Sequence, residues 1–437
     1  MPAITRRSFL KTSSLAATLP ALLVRPAGAV LAGEKITVGF IGVGVQGRGH
    51  VNSLLNKPMV EVVAVSDVVK ERLDAAIEMV NKKYAARVKA GTYAGAKAYQ
   101  DFRDLIRHPG LDAVLIATPD HWHAIPCVLA ARAGKHIYSE KPLTQNIADG
   151  RWVANEAKKA GVAFQTGSQQ RSEYGNRFRT AVECIWNGRI GTLKTIRIGV
   201  GGPPVPCDLP TQDCPPGTDW DTWLGPAPDR GYNEILCPKG VHKHFPLWRN
   251  YREYAGGSLA DMGAHHFDIA QWAMHMDESG PTSITPPADP KKGAGLRFGY
   301  ANGVTMIHNE FEKDPKTGKT LNADCVFEGT DGTIYVGRGE LRATREAILK
   351  DPFAATDKRV YPSHNHEQNW LDCIVAKKPC ICTAETGHRS ATVCHLANIG
   401  YRVGRQLDWD PVKERFVHDG EADKLLSREP RAKWKVV

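Results

Sequence analysis

The stretch that most narrows what this chain can become is Glu34 to His50, EKITVGFIGVGVQGRGH. Its first half is apolar over a strand's length, and its second half sets three glycines in the spacing Gly42-x-Gly44-x-x-Gly47. A buried strand that turns sharply into a helix needs these glycines. The first permits the tight turn, the second leaves the backbone bare for a pyrophosphate, and the third lets the helix pack closely on the strand. The helix start beyond offers free N–H groups and the positive end of a dipole, with Val45 and Gln46 placed at the same ligand.

Short apolar runs continue to alternate with helical patterns. KITVGFI is followed by a helix near 47–55, the strand VEVVAVS at Val60–Ser66 and a longer helical stretch. Then come the strand AVLIAT at Ala113–Thr118, a helix near 125–133, the strand HIYSE, a helix through 146–160, and VAFQTG. Such alternation predicts a parallel sheet covered by helices on both faces, an α/β fold with an N-terminal Rossmann-type, doubly wound sheet. Asp67 follows Gly47 by 20 residues and ends the second strand, where a carboxylate accepts from ribose hydroxyls. A 2′-phosphate would meet a like charge there, which favours NAD, while Lys70 and Arg72 nearby keep NADP open.

Residues 1–29, MPAITRRSFLKTSSLAATLPALLVRPAGA, have a basic start, an apolar run from Leu15 to Val24 and the small-residue site Ala27-Gly28-Ala29. That is the layout of a secretory signal. Paired Arg6 and Arg7 resemble the twin-arginine signal, which addresses proteins that cross a membrane already folded. An exported, periplasmic protein is expected. Loss of the leader's four basic residues lowers the formal charge from +10 to +6. No basic run appears, so nucleic acid is not an expected partner. No later segment is apolar for long enough to anchor the chain in a bilayer.

Ten cysteines would be compatible with disulfides outside the cytoplasm. Cys207, Cys214 and Cys237 lie in a Pro- and Gly-rich segment where a bridge is expected, whereas Cys127, Cys184, Cys373 and Cys394 read as buried thiols in helical patterns. His-x-His pairs at 121/123, 242/244 and 364/366 have no acidic partner at diagnostic spacing, so no metal site is expected.

Four segments, GFIGVGVQGRGH, ATPDHWH, SEKPLTQN and GGSLADMGAHHFDIAQW, follow one another in an order that resembles the glucose–fructose oxidoreductase, inositol dehydrogenase and rhizopine-catabolism (Gfo/Idh/MocA) family. FEGTDGTIYVGRGE further on resembles that family's C-terminal sheet, and the resemblance covers residues 34 to about 405. It implies a dinucleotide domain over 34–165 and a C-terminal substrate and oligomerisation domain over 166–437 with a large open, mainly antiparallel sheet. It further implies hydride transfer at a sugar or polyol carbinol, a tightly held nicotinamide cofactor and a homo-oligomer. The implied catalytic positions are Lys141 of EKP with Asp261 and His265 of DMGAH. Thr118, Pro119, His123, Glu140, Lys141 and Gln169 are the implied wall of the cofactor cleft.

The residues themselves agree. Lys141 follows a strand end on the sheet edge where ligands bind, and an ammonium there can stabilise a carbinol oxygen as hydride departs. Residues 258–274 predict one amphipathic helix, with Leu259, Met262, Ile269, Ala270 and Ala273 on its apolar face and Asp261, His265, Asp268 and Trp272 on the other. Asp261 and His265 stand one turn apart, and a histidine near neutral pKa can take the hydroxyl proton. The loop 201–250 carries Trp220, Trp223, Trp248 and Tyr251, which either stack on sugar rings or pack the loop, and Lys243, His244 and Arg249 as donors. The leading expectation is an exported sugar oxidoreductase. The alternatives are an NAD-dependent glycosidase working by transient oxidation and elimination, and a non-catalytic sugar-binding protein.

Overall fold

The computed structural model describes residues 35–315 and 317–435; the leader lies outside them. Six short strands, β1 (Ile36–Ile41), β2 (Val60–Ser66), β3 (Lys97–Tyr99), β4 (Ala113–Ile116), β5 (His136–Ser139) and β6 (Phe164–Thr166), form one parallel sheet in the order β3-β2-β1-β4-β5-β6. Both β4 and β5 are buried along their whole length, which is why β4 reads as an unbroken apolar run, while β5 buries His136 and Ser139 along with Ile137 and Tyr138. The strand order reverses between β1 and β4, and this switch point opens a crevice at the strands' C-terminal ends. Four main helices connect the strands: α1 (Val45–Leu54), α2 (Lys70–Lys83), α3 (Ala124–Arg132) and α4 (Ile147–Ala160). The ends of α4 are chemically marked. The Asn146 side chain accepts from the Asp149 N–H at its start, and Gly161 adopts φ 65° at its end.

Nine further strands form a second sheet: β7 (Leu193–Ile198), β8 (Ser283–Thr285), β9 (Arg297–Gly299), β10 (Thr305–His308), β11 (Cys325–Gly329), β12 (Thr333–Val336), β13 (Leu341–Ala343), β14 (Leu407–Asp410) and β15 (Arg415–Phe416). Their order is β13-β12-β11-β7-β10-β9-β8-β14-β15, and only the β7–β10 pairing is parallel. Helices α5 (Gly263–Ala273) and α7 (Ala384–Val403) share a core with this sheet through Phe267, Ile269, Leu396, Phe298 and Phe327. Between them in sequence, α6 (His366–Ala376) returns to the first sheet, where Trp370, Leu371 and Ile374 pack with Val38, Leu115 and Tyr138.

Two expectations need correction. Residues 258–274 are not one amphipathic helix: a turn over Gly257–Asp261 ends at Met262, and α5 beyond it is buried at every residue. Two of its polar residues are not solvated but held inside: Asp268 accepts from Arg171 at 2.7 and 2.8 Å, and Trp272 lies 4.8 Å beneath the same guanidinium. Nor do Cys207, Cys214 and Cys237 form a bridge; all ten cysteines are free thiols. Cys207 instead accepts from Arg230, and Cys237 lies 3.7 Å from Arg72. Cys127, Cys184, Cys373 and Cys394 are buried as predicted. Among the described residues no helix is long and apolar enough to cross a membrane, and no group of three or more His, Cys, Asp or Glu side chains could hold a metal.

Candidate active site

A cavity of about 1070 Å³ opens at the switch point and is lined from both halves of the chain. Of the predicted site residues, Gly42, Gly44, Val45, Gln46, Asp67, Thr118, Pro119, His123, Glu140, Lys141, Gln169, Asp261 and His265 all line it, and Gly47 does not. The three glycines divide their work as their spacing suggests. Gly42 has φ +84°, and a Cβ there would sit 2.9 Å from the Ala117 carbonyl. A Cβ on Gly47 would come 2.1 Å from the Gly42 oxygen, so Gly47 sets the closeness of helix and turn rather than touching a ligand. Nothing lies within 4 Å of a Cβ on Gly44, whose bare backbone faces open space. That space and the N-terminus of α1 fit a dinucleotide's pyrophosphate. At the end of β2, Asp67 accepts from the backbone N–H groups of Val43 (2.8 Å) and Val69 (2.9 Å), which holds its carboxylate at the cavity edge.

Deeper in, Glu140 anchors a buried network. Its Oε1 accepts from Gln169 at 2.9 Å and Gln46 at 3.2 Å, and meets His50 Nε2 at 2.8 Å; the other ring nitrogen of His50 meets Glu367 at 2.6 Å. Burial alone would neutralise both partners. Instead the bonds and charges of Glu140 and Glu367 raise His50 to about 9, and those of His50 hold Glu140 near 2. His50 and Glu367 were not singled out from sequence, because their contact spans 317 residues. A pH effect follows. The raised His50 contributes stability fully below its unfolded pKa of about 6.5, and that stability is lost as pH rises through about 9. His50→Gln should therefore lower stability by about 2–3 kcal/mol at pH 6 and flatten the decline between pH 6.5 and 9, read by urea unfolding at a series of pH values.

Lys141 Nζ donates to Asp261 Oδ1 at 2.6 Å and to the Asp261 carbonyl at 2.8 Å. Burial pushes the Asp261 carboxyl up, but the charges of Lys141 and Arg249 outweigh it and keep it ionised below the usual range. His265 is buried, its Nδ1 has no partner, and burial with the nearby Lys141 charge lowers its pKa well below the ordinary histidine value. It is therefore a neutral ring facing a fixed ammonium–carboxylate pair. His123 is packed between the carbonyls of Pro142 (2.8 Å) and Thr118 (3.0 Å), so it ties the β4 end to the EKP loop.

Asp120, which the sequence reading passed over between Pro119 and His121, is also in the cavity. One of its oxygens is buried without a partner, and burial together with the Asp261 charge raises its carboxyl to about 8 despite Lys141 and Arg249. The cavity thus holds a neutral acid as well as a neutral base. Of the loop aromatics, Trp223 and Trp248 line the cavity, whereas Trp220 stacks on Trp223 at 4.6 Å and Tyr251 packs against the loop's apolar cluster. Arg249 lies 4.1 Å over Trp248 and lines the cavity; Lys243 and His244 do not line it.

Two family models cover most of the chain: an oxidoreductase family NAD-binding Rossmann fold over residues 36–168, and the C-terminal alpha/beta domain of the same oxidoreductase family, Gfo/Idh/MocA, over 206–436. The chain belongs to the Gfo/Idh/MocA family. It is an oxidoreductase with an NAD-binding Rossmann domain. Among its Gfo/Idh/MocA relatives, a myo-inositol 2-dehydrogenase of Thermotoga maritima is 28% identical over 306 residues, 70% of this chain and 69% of that one. A glycosyl hydrolase family 109 protein of Shewanella baltica is 31% identical over 209 residues, 44% of each chain. The fold matches that of the WlbA dehydrogenase of Bordetella pertussis, solved with NADH and UDP-GlcNAcA, with a TM-score of 0.60 at 17% identity over 87% of this chain and 99% of that one.

For this Gfo/Idh/MocA chain the Asp67 geometry gives a direct expectation. Asp67→Ala should weaken NAD binding about tenfold, the scale of a lost charged hydrogen bond, and leave NADP binding less affected. Titrating both nucleotides calorimetrically against wild type and variant checks it; a variant with an unchanged NAD/NADP ratio would remove Asp67 from the ribose.

Proposed function

We propose that this protein is an exported oxidoreductase that moves hydride between a tightly held NAD and a carbinol or carbonyl of a sugar, polyol or glycoside. The observation that carries the reading is one cavity holding both the bare Gly44 turn and the Lys141–Asp261 pair with neutral His265. Bound nicotinamide supplies hydride acceptance at the carbinol carbon. The chain supplies the rest: the Lys141 ammonium donates to the carbinol oxygen as it gains alkoxide character, Asp261 fixes that ammonium, and His265 takes the hydroxyl proton. Gly42, Gly44, Val45 and Gln46 hold the pyrophosphate half, Asp67 the ribose, and Thr118, Pro119, His123, Glu140 and Gln169 the nicotinamide half. Sugar dehydrogenases among the relatives support the substrate class.

The leader supports the rest of the reading. Beyond the inner membrane there is little free NAD to exchange, so a folded protein sent by a twin-arginine signal carries its cofactor with it. The protein acts in the periplasm as a homo-oligomer formed through its C-terminal sheet. The test is to purify it from that compartment, quantify its nucleotide after dialysis, and analyse by mass spectrometry the products it makes from a sugar panel without added NAD. Stoichiometric nucleotide with products two mass units lighter supports the reading; an empty protein active only with free NAD overturns it.

Asp120 favours a second reading, a redox-neutral glycosidase. Oxidation of a carbinol needs no acid to protonate a leaving group, whereas elimination of an aglycone needs one for the leaving oxygen, and a carboxyl neutral up to about pH 8 is such an acid. The glycosyl hydrolase relatives lend it support. It predicts that aryl glycosides are cleaved without net NAD reduction, that cleavage falls above about pH 8, and that Asp120→Asn cuts cleavage by about 10²-fold while sparing oxidation. Equal loss of both activities in the variant would sink this reading.

A further inference from the structure

The adenosine end of the cavity is closed by a segment from the other half of the chain. Residues 217–246 leave the C-terminal half and run back to the connection between β2 and α2. Val69 and Thr218 form an antiparallel bridge, flanked by bonds from Lys70 N to Gly217 O and from Asp219 N to Val68 O, each 2.9 Å. The first part of the segment has its own core, in which Trp223, Leu224, Tyr232 and Leu236 pack around Val69. Its tip is held differently. Val241 and Phe245 are 49% and 53% exposed, so little apolar area fixes residues 238–245.

Two guanidiniums hold the tip instead. Arg72 of α2 donates to the Gly240 carbonyl at 3.0 Å and to the Pro238 carbonyl; Arg48 of α1 donates to the His242 carbonyl and, at 3.0 Å, to that of Val43. One staple rises from the helix after the glycine turn and the other from the helix after Asp67. Between them the tip brings His242, Leu236 and Pro246 into the lining of the cavity that Asp67 and Val68 also line, with the Arg48 charge near both Asp67 and His242. His242 Nδ1 lies 2.7 Å from the His244 carbonyl and must donate to it, which leaves Nε2 an acceptor; that atom is buried and has no partner.

We propose that residues 237–246 are a clasp that closes over the adenosine half of bound NAD, stapled by Arg48 and Arg72, with His242 Nε2 accepting from a ribose hydroxyl, and that its opening sets the rate of cofactor release. It rests on the cofactor reading above. It also sharpens the choice of nucleotide: Asp67 and His242 face the ribose as acceptors, and both nearby guanidiniums are engaged by backbone carbonyls, so a hydroxyl is satisfied there and a 2′-phosphate is not. The tip opens by breaking a few hydrogen bonds and exposing little apolar surface.

The experiment loads the full-length protein with adenine-labelled NAD, chases it with excess unlabelled NAD and follows release. Arg72→Met should speed release about tenfold or more, the scale of one or two hydrogen bonds from a charged donor. Because Arg72 lines the cavity, a second variant keeps both arginines and replaces residues 239–244 by two glycines; it too should release faster. Hydrogen exchange at 238–246 should slow when NAD binds wild type and not when it binds Arg72→Met. Release unchanged in both variants, with NAD still bound, overturns the clasp alone. A wild type that neither retains nor takes up NAD overturns the cofactor reading and the clasp with it.

Discussion

Lys141→Met should reduce turnover by at least about 10³-fold while the protein keeps its fold and its nucleotide. The ammonium bonds only the Asp261 carboxylate and carbonyl, at 2.6 and 2.8 Å, so its removal leaves the glycine turn and the Glu140 network in place. Asp261 retains Arg249 at 3.7 Å as a partial countercharge, which keeps the stability loss small. His265→Ala should cost about 10²–10⁴-fold through loss of the base. A pH profile separates the two roles. Burial and the Lys141 charge keep His265 neutral, so the wild-type rate should not fall between pH 8 and pH 6, where an ordinary histidine would become protonated. Single-turnover rates with preloaded NAD, with nucleotide content measured in parallel, check the set. Near-wild-type turnover in either variant would remove that residue from the chemistry.

The parts of this site that were legible in sequence are those whose chemistry is local. Three glycines announce a turn because backbone geometry demands them within six residues, and Asp67 is found by counting to the end of the next strand. Lys141, Asp261 and His265 came from a family resemblance, and their meeting in one cavity could not have been read from spacing alone. What stayed hidden depends on distant partners. His50 looks like a helix residue until Glu367 arrives through α6, and Asp120 looks like a turn residue until burial and the Asp261 charge keep it protonated. Periodicity misread α5 for the same reason: Asp268 marks a solvated face only if no cation is waiting inside. The loop aromatics divided between packing and cavity, a division set by how the loop folds back on Val69.

That hidden cation carries the largest expected effect on stability. Arg171 follows β6 and reaches across to α5, the helix that carries His265. It donates to both oxygens of Asp268 at 2.7 and 2.8 Å and to both oxygens of Asp277 at 2.9 and 2.7 Å. Its side chain and that of Asp268 are almost wholly enclosed, and Ser390 of α7 donates to Asp268 at 2.8 Å. Arg171→Met fills much of the same volume but leaves the Asp268 carboxylate buried with one hydroxyl donor, so unfolding free energy should fall by about 3–5 kcal/mol. Pairing it with Asp268→Leu removes the stranded charge, and a large part of the loss should return, because a buried ion pair replaced by apolar groups is often nearly neutral. Asp277 does not spoil this rescue: its side chain is 34% exposed and can take water in place of the guanidinium. The rescued double variant should still turn over more slowly than wild type, since α5 has lost the bonds that fix His265 relative to the cofactor sheet. Urea unfolding of wild type, single and double variants, with turnover measured alongside, decides the matter. A loss below about 1 kcal/mol in Arg171→Met would mean that Asp268 finds another partner or a proton, and the clamp between cofactor sheet and catalytic helix would have to lie elsewhere.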